Sequence, residues 1–215
     1  MTDFNSLVPE AVGFFDDLSA NNTKAWFTEN KPRYEREVKH PAENLLDVMG
    51  AWIERETDAP QMPKLYRIHR DLRFSKDKTP YNTHLHLQWC DNATGICHLF
   101  GVSRDYVSAG VGAMVFTKPA LEAWRARIGA DGADLGELVD GLLGDGFRLD
   151  PPALKRVPAP HPQDHPHAAL LKRKGIVLWR DFSNAEKAAP VASLGEVFAR
   201  LADFRAALAG VLVRR

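Results

Sequence analysis

The chain has little cysteine: two residues in 215, Cys90 and Cys97. That excludes a disulfide-framed scaffold. The two could face each other across a hairpin, but with no secretory signal, reduced thiols in the cytoplasm are the expectation. Net charge is also absent, with 28 Lys and Arg against 28 Asp and Glu, which argues against a globally basic nucleic-acid binder. No apolar run approaches the roughly 20 residues of a membrane span, so no membrane association is expected. The opening "MTDFNSLVPEAVGFFDDL" lacks the basic start and continuous apolar stretch of a signal peptide. There is no nucleophile elbow, P-loop, dinucleotide fingerprint or zincin motif, so neither a reaction nor a cofactor follows from a motif. Oligomeric state has no signature either.

What is present reads as an α+β protein: a helical N-terminal part packed on a mostly antiparallel sheet, with further helices after it. Residues 1–60 read as helical. Val8, Ala11, Val12, Phe15 and Leu18 follow helical spacing after Pro9. Asn22 is placed to cap a short helix carrying Trp26 and Phe27. Pro41 opens a stripe of Ala42, Leu45, Leu46, Met49, Trp52 and Ile53. Residues 61–116 read as strands, the clearest being "THLHLQWC", where Leu85, Leu87 and Trp89 alternate with polar residues. Short connections at "DNATG" and Arg104–Asp105 require antiparallel neighbours. Helices follow over 117–145, then a Pro-, Gly- and His-rich loop and short helix over 146–173. Residues 174–215 hold the strand "GIVLWRDF" and a C-terminal helix, with Ser193 and Glu196 as its capping box and Leu194, Val197, Phe198, Leu201 and Leu208 on its inner face. No linker-like stretch divides the chain, so one domain over 1–215 is expected.

Neutrality overall conceals two basic segments. Residues 64–83 carry six Lys and Arg against two acids, and residues 148–180 carry seven against two. Together they imply a local positive field in an otherwise acidic protein. The first segment contains "YRIHRDLRFSKDKTPY". Read as extended, residues 64–74 put Arg67, His69, Asp71 and Arg73 on one face and Tyr66, Ile68, Leu72 and Phe74 on the other, with Arg70 the exception. "SKDKTPY" then reads as a turn stopped by Pro80, with Lys76 and Lys78 extending the cationic patch.

Guanidinium groups suit bidentate contact with phosphate or carboxylate. The expected site is therefore an anion-binding strand and turn made of Arg67, Arg70, Arg73, Lys76, Lys78 and Tyr81, with Lys174 joining from the second basic segment. Its ligand would be an anionic small molecule. One alternative is a nucleic-acid module that stacks bases on Tyr66, Tyr81 or Trp89. The other is a non-enzymatic interaction protein in which Asp71 and Asp77 tie the cations into a structural salt-bridge network. His69 and Asp71, on the same face, are candidates for an acid–base pair, though two such residues on one strand are common.

"RIHRDLRFSKDKTPYNTH" resembles the signature of a mostly bacterial family of conserved hypothetical proteins catalogued as domain of unknown function 2461. "FFDDLSANNTKAWFTENKPRYE" is similar to that family's helical start, and "LKRVPAPHPQDHPHAALLKRKG" to a later segment. Positions matching the family include Asn21, Asn22, Trp26 and Phe27, Arg70, Asp71, Arg73 to Lys78, Pro80 and Tyr81, and His165, Pro166, Leu171 and Lys174. Where family members commonly carry Lys after "TPY", this chain has Asn82. The resemblance implies a grouping and no activity.

Histidines give the remaining candidates. His84 and His86 share a strand face near His98, but no carboxylate has matching spacing, so a polar sheet face is expected and no metal is assigned. His161, His165 and His167 lie among prolines, with His165 placed to cap the next helix. The glycines of "GVG" at 110–112 are expected to allow close packing within a strand.

Overall fold

A computed structural model describes residues 4–212. Helices α1 (Leu7–Ala20) and α2 (Lys24–Tyr34) are followed by a π-helical turn, Glu35–Lys39, and by α3 (His40–Thr57). Next come β1 (Gln61–Leu65), β2 (His84–Asp91), β3 (Cys97–Ser103) and β4 (Val107–Ala113). Helices α4 (Lys118–Asp131) and α5 (Ala133–Gly144), the short β5 (Arg148–Leu149), α6 (Ala168–Leu171) and β6 (Ile176–Asp181) lead to α7 (Asn184–Lys187), α8 (Pro190–Arg200) and α9 (Ala202–Leu212). The strands are hydrogen-bonded in the order β1-β2-β3-β4-β6-β5, and the fold is α+β with an antiparallel sheet. No described helix is long and apolar enough to cross a membrane.

The chain divides into two compact units. The first comprises Met1–Trp89, Leu99–Ala109 and Asp181–Glu196. Its core forms where apolar periodicity is strongest. Helix α1 buries Leu7, Val8, Ala11, Phe14, Phe15 and Leu18, and α3 buries Ala42, Leu45, Met49 and Ile53. Strand β2 alternates as its sequence requires, with Leu85, Leu87 and Trp89 buried. The Trp89 indole donates to the Leu46 carbonyl at 2.7 Å, which satisfies its one polar atom.

The second unit comprises Cys90–His98, Gly110–Arg180 and Val197–Arg215. Trp124 of α4 is fully buried, and its indole donates to the Leu170 carbonyl at 3.0 Å. Close backbone approach explains two glycines here. A Cβ on Gly112 would lie 2.0 Å from the Ile176 carbonyl oxygen, and one on Gly175 would lie 2.1 Å from that of Met114. The histidine tract packs as structure: a Cβ on Gly129 would strike the His161 ring at 2.1 Å, and one on Gly136 the His167 ring at 2.9 Å. The His165 ring accepts the N–H of His167 at 3.0 Å, one residue ahead of α6.

Several local expectations are corrected. Thr23, not Asn22, caps α2, its hydroxyl accepting from the Trp26 N–H. The capping box belongs to Ser183 and Glu186 on α7, while Ser193 lies inside α8 and donates to the Glu186 carbonyl at 3.0 Å. The C-terminal apolar stripe is shared by two helices, α8 and α9, that meet at Leu201.

Cys90 and Cys97 are joined in a disulfide, not held as reduced thiols. The turn between β2 and β3 brings them together, because Asp91 takes the Ala93 N–H and Thr94 hydroxyl on its carboxylate, while its N–H reaches the Ile96 carbonyl. The expectation of free thiols rested on compartment, whereas the pairing follows from that turn. Finally, the extended reading of 64–74 fails after β1 ends at Leu65, and residues 66–83 form a loop.

Candidate functional site

The loop is closed at its base by a narrow two-bond ladder. Arg70 N–H donates to the Pro80 carbonyl at 2.9 Å and Asn82 N–H to the Ile68 carbonyl at 2.7 Å, flanking a bridge between His69 and Tyr81. Beyond it, side chains capture the backbone. The Asp71 carboxylate accepts the Arg73 N–H at 3.2 Å, and Asp77 accepts the Thr79 N–H at 2.9 Å. Such Asx turns compete with strand pairing, so the alternation of apolar residues never becomes a strand face.

One side of the base is anchored to the N-terminal helices. The Asn22 amide donates to the Tyr81 carbonyl at 2.9 Å and its oxygen accepts the Tyr81 N–H at 3.1 Å. The Tyr81 ring is buried and stacks on Phe27, with centroids 4.1 Å apart, and His69 stands edge-on to Tyr81. Tyr81 therefore belongs to the loop's foundation. Asn82 stays on the loop, donating its amide to the Arg67 carbonyl at 3.1 Å.

Arg70 is the internal brace. One guanidinium nitrogen reaches Asp77 at 2.5 Å, the Thr79 carbonyl at 3.2 Å and the Thr79 hydroxyl. The Ser75 hydroxyl closes the same turn by donating to the Asp77 carbonyl at 2.8 Å. The bond from Thr79 N–H, followed by those from Arg70 and the Thr79 hydroxyl, holds the Asp77 carboxyl down at about 2. Because that value is depressed, these bonds are present above the ordinary carboxyl range and are lost as pH falls through about 2. Lys78 donates to the Leu72 carbonyl at 3.0 Å.

Arg73 makes a forked pair with Asp71, its shortest contact being 2.6 Å, on the open surface. Among the described residues no carboxylate pairs with Arg67, Lys76 or Lys78, although Arg67 helps to depress the Asp71 carboxyl after the stronger bonds from Arg73. Phe74, expected on the apolar face, is 95% exposed, with the Arg73 guanidinium 5.9 Å from its ring centre.

The other stacking candidates are engaged. Trp89 is buried, and Tyr66 has Lys64 over its ring at 4.3 Å while its hydroxyl donates to Gln88 at 2.6 Å. His69 and Asp71 have diverging partners, the former against Tyr81 and Phe27 and the latter on Arg73. His84 and His86 stack on each other at 4.0 Å, and the His86 ring meets the Tyr106 hydroxyl at 2.6 Å. Lys174 belongs to the second unit, where it lines a cleft with Met114 and Trp179.

The brace and the surface pair should respond differently to truncation. Arg70→Ala is expected to speed proteolysis and amide exchange across 70–80, because Asp77 loses its cation and the turn its cross-link. Arg73→Ala should leave the melting temperature within about 1 °C, as for most exposed ion pairs. Equal protection of the loop in both variants would contradict this assignment.

The contribution of Asn22 and Phe27 is invisible to local reading, since they lie 59 and 54 residues from Tyr81. The one available signal was that Asn22, Phe27 and the loop all fall in the same family pattern. No curated protein matches the chain. The family model described as a conserved hypothetical protein, DUF2461, matches residues 10–206. The match spans most of the sequence, and the chain belongs to that family.

Proposed function

We propose that residues 66–83 are an anion-recognition loop, in which Arg67, Lys76 and Lys78 supply charge and Phe74 an apolar contact. The observation that carries the reading is the loop's charge accounting. Both acids are committed to Arg70 and Arg73, no carboxylate pairs with Arg67, Lys76 or Lys78 among the described residues, and the Phe74 ring is 95% exposed. A structural ion-pair network alone would explain Arg70 but leaves Arg67, Lys76 and Phe74 without a purpose. The bracing bonds fix the loop before binding, which lowers the ordering cost of recognition. The ligand class is a phosphate- or carboxylate-bearing anion.

The test is a thermal-shift and anisotropy comparison using pyrophosphate, citrate and labelled dT20 over a salt series. At least one anion should stabilise the wild type, and the double variant Arg67→Ala, Lys76→Ala should lose that effect with its own melting temperature unchanged. Binding of dT20 alone, weakened steeply by salt and by Phe74→Ala, would identify the partner as single-stranded nucleic acid. No response to any anion, or full response by the double variant, would leave the loop with the structural role alone.

A further inference from the structure

A second cationic centre lies in the second unit, where a buried guanidinium lacks an acid partner. Arg173 is 8% exposed. Its Nη1 donates to the Asp150 carbonyl at 2.8 Å, and its buried Nε has no partner among the described residues. The nearby Asp150 carboxylate is turned elsewhere: it accepts from the Trp179 indole at 3.2 Å and from Arg148 at 3.4 Å. Burial therefore holds the Arg173 guanidinium below its ordinary value, with the charge of Asp150 opposing the shift. A desolvated cation held only by a neutral carbonyl is an expensive arrangement, and an anion that could reach it would relieve the cost.

Arg173 lines a cleft of about 310 Å³, a size at the lower end of small-molecule pockets. The cleft is lined by Arg173, Lys174 and Asp150 together with the apolar Met114, Val115 and Trp179. Met114 and Val115 are 60% and 79% exposed, so apolar surface stands open beside the charge. Gly175 makes this juxtaposition possible, because its lack of a side chain lets the backbone pass against the Met114 carbonyl. Asp150 also lines the cleft, but its carboxylate is taken up by Trp179 and Arg148, whereas the Asp140 carboxylate in the neighbouring cleft that Arg173 borders has no hydrogen-bond or ion-pair partner among the described residues.

We infer that this cleft binds a small carboxylate with an apolar body, its carboxylate at Arg173 and Lys174 and its hydrocarbon along Val115 and Trp179. The site is separate from the 66–83 loop and does not rest on the reading given for it. Calorimetric titration with octanoate, phenylacetate, octanol and octylamine tests it. Octanoate or phenylacetate should bind, with octanol and octylamine at least about tenfold weaker, since a bidentate contact to guanidinium is charge-assisted. Arg173→Met should lose at least about tenfold in affinity by the same argument.

Because Arg173 also holds the Asp150 carbonyl, Val115→Glu provides a second variant at an exposed position. It should keep the wild-type melting temperature and repel the carboxylate. The double variant of Arg67 and Lys76 should bind octanoate normally. Binding of octanol equal to octanoate, unchanged affinity in Val115→Glu, or no binding of either carboxylate to the folded wild type would overturn the proposal.

Discussion

Acidification from pH 6.5 to pH 3 is expected to remove about 4 kcal/mol of stability through His98 alone, and His98→Leu is expected to abolish most of that loss. His98 is buried, its Nδ1 has no partner among the described residues, and its ring stands edge-on to Phe198 at 4.9 Å. Burial, with a smaller contribution from the Arg205 charge, lowers its value from 6.5 to about 3. The sign follows directly. Between those values the unfolded chain binds the proton and the folded chain does not, so stability is complete above 6.5 and drains away as pH falls. A domain's total is only about 5–15 kcal/mol, so this one ring sets much of the acid limit. His86, lowered to about 4 by burial and by His84, acts in the same direction but is less enclosed. Leucine fills similar space and removes the orphan nitrogen. Denaturant midpoints measured from pH 7 to pH 3 decide the matter: parallel curves for wild type and variant would show that His98 does not carry the effect.

The second large effect falls on the strand register. Gly112→Ala is expected to cost more than about 3 kcal/mol, in the range reserved for core clashes and backbone strain. The added Cβ would meet the Ile176 oxygen at 2.0 Å and the Val177 Cα at 2.7 Å, and Gly112 also sits at φ +152°. Both obstacles are backbone, so no side-chain rotation relieves them. Gly141→Ala is the matched control: its Cβ meets nothing within 4 Å and lies in α5, so a gain of about 0.5 kcal/mol is expected. Thermal unfolding of the two variants should move in opposite directions. A Gly112→Ala protein that melts with the wild type would remove the close approach as an explanation for this glycine.

Periodicity made the regular elements readable. The β2 alternation and the stripes of α1 and α3 appear in the structure because burial on one face is what creates those patterns. The short turns after β2 and β3 likewise announced antiparallel neighbours. The 66–83 segment was misread as extended for a related reason. Tyr66, Ile68, Leu72 and Phe74 alternate as strand residues do, but Asp71 and Asp77 seize the nearby N–H groups first. Only Ile68 of the four reaches the core.

The charge types of the candidate site were plain from composition, while their pairing was not. Nothing local says that Arg70 chooses Asp77 or that Tyr81 lies on Phe27. The disulfide was missed because the absence of a secretory signal was given more weight than the hairpin that sets the two cysteines opposite each other.

The loop's architecture separates its frame from its readout. Arg70, Ser75, Asp77, Thr79, Tyr81 and Asn82 each carry a bond that holds the shape. Phe74 and Lys76 carry none of these bonds, and both belong to the proposed recognition surface. Residue identity at these two positions can therefore change without dismantling the loop, so on the proposed reading one fixed scaffold would be retuned by exchanging two side chains.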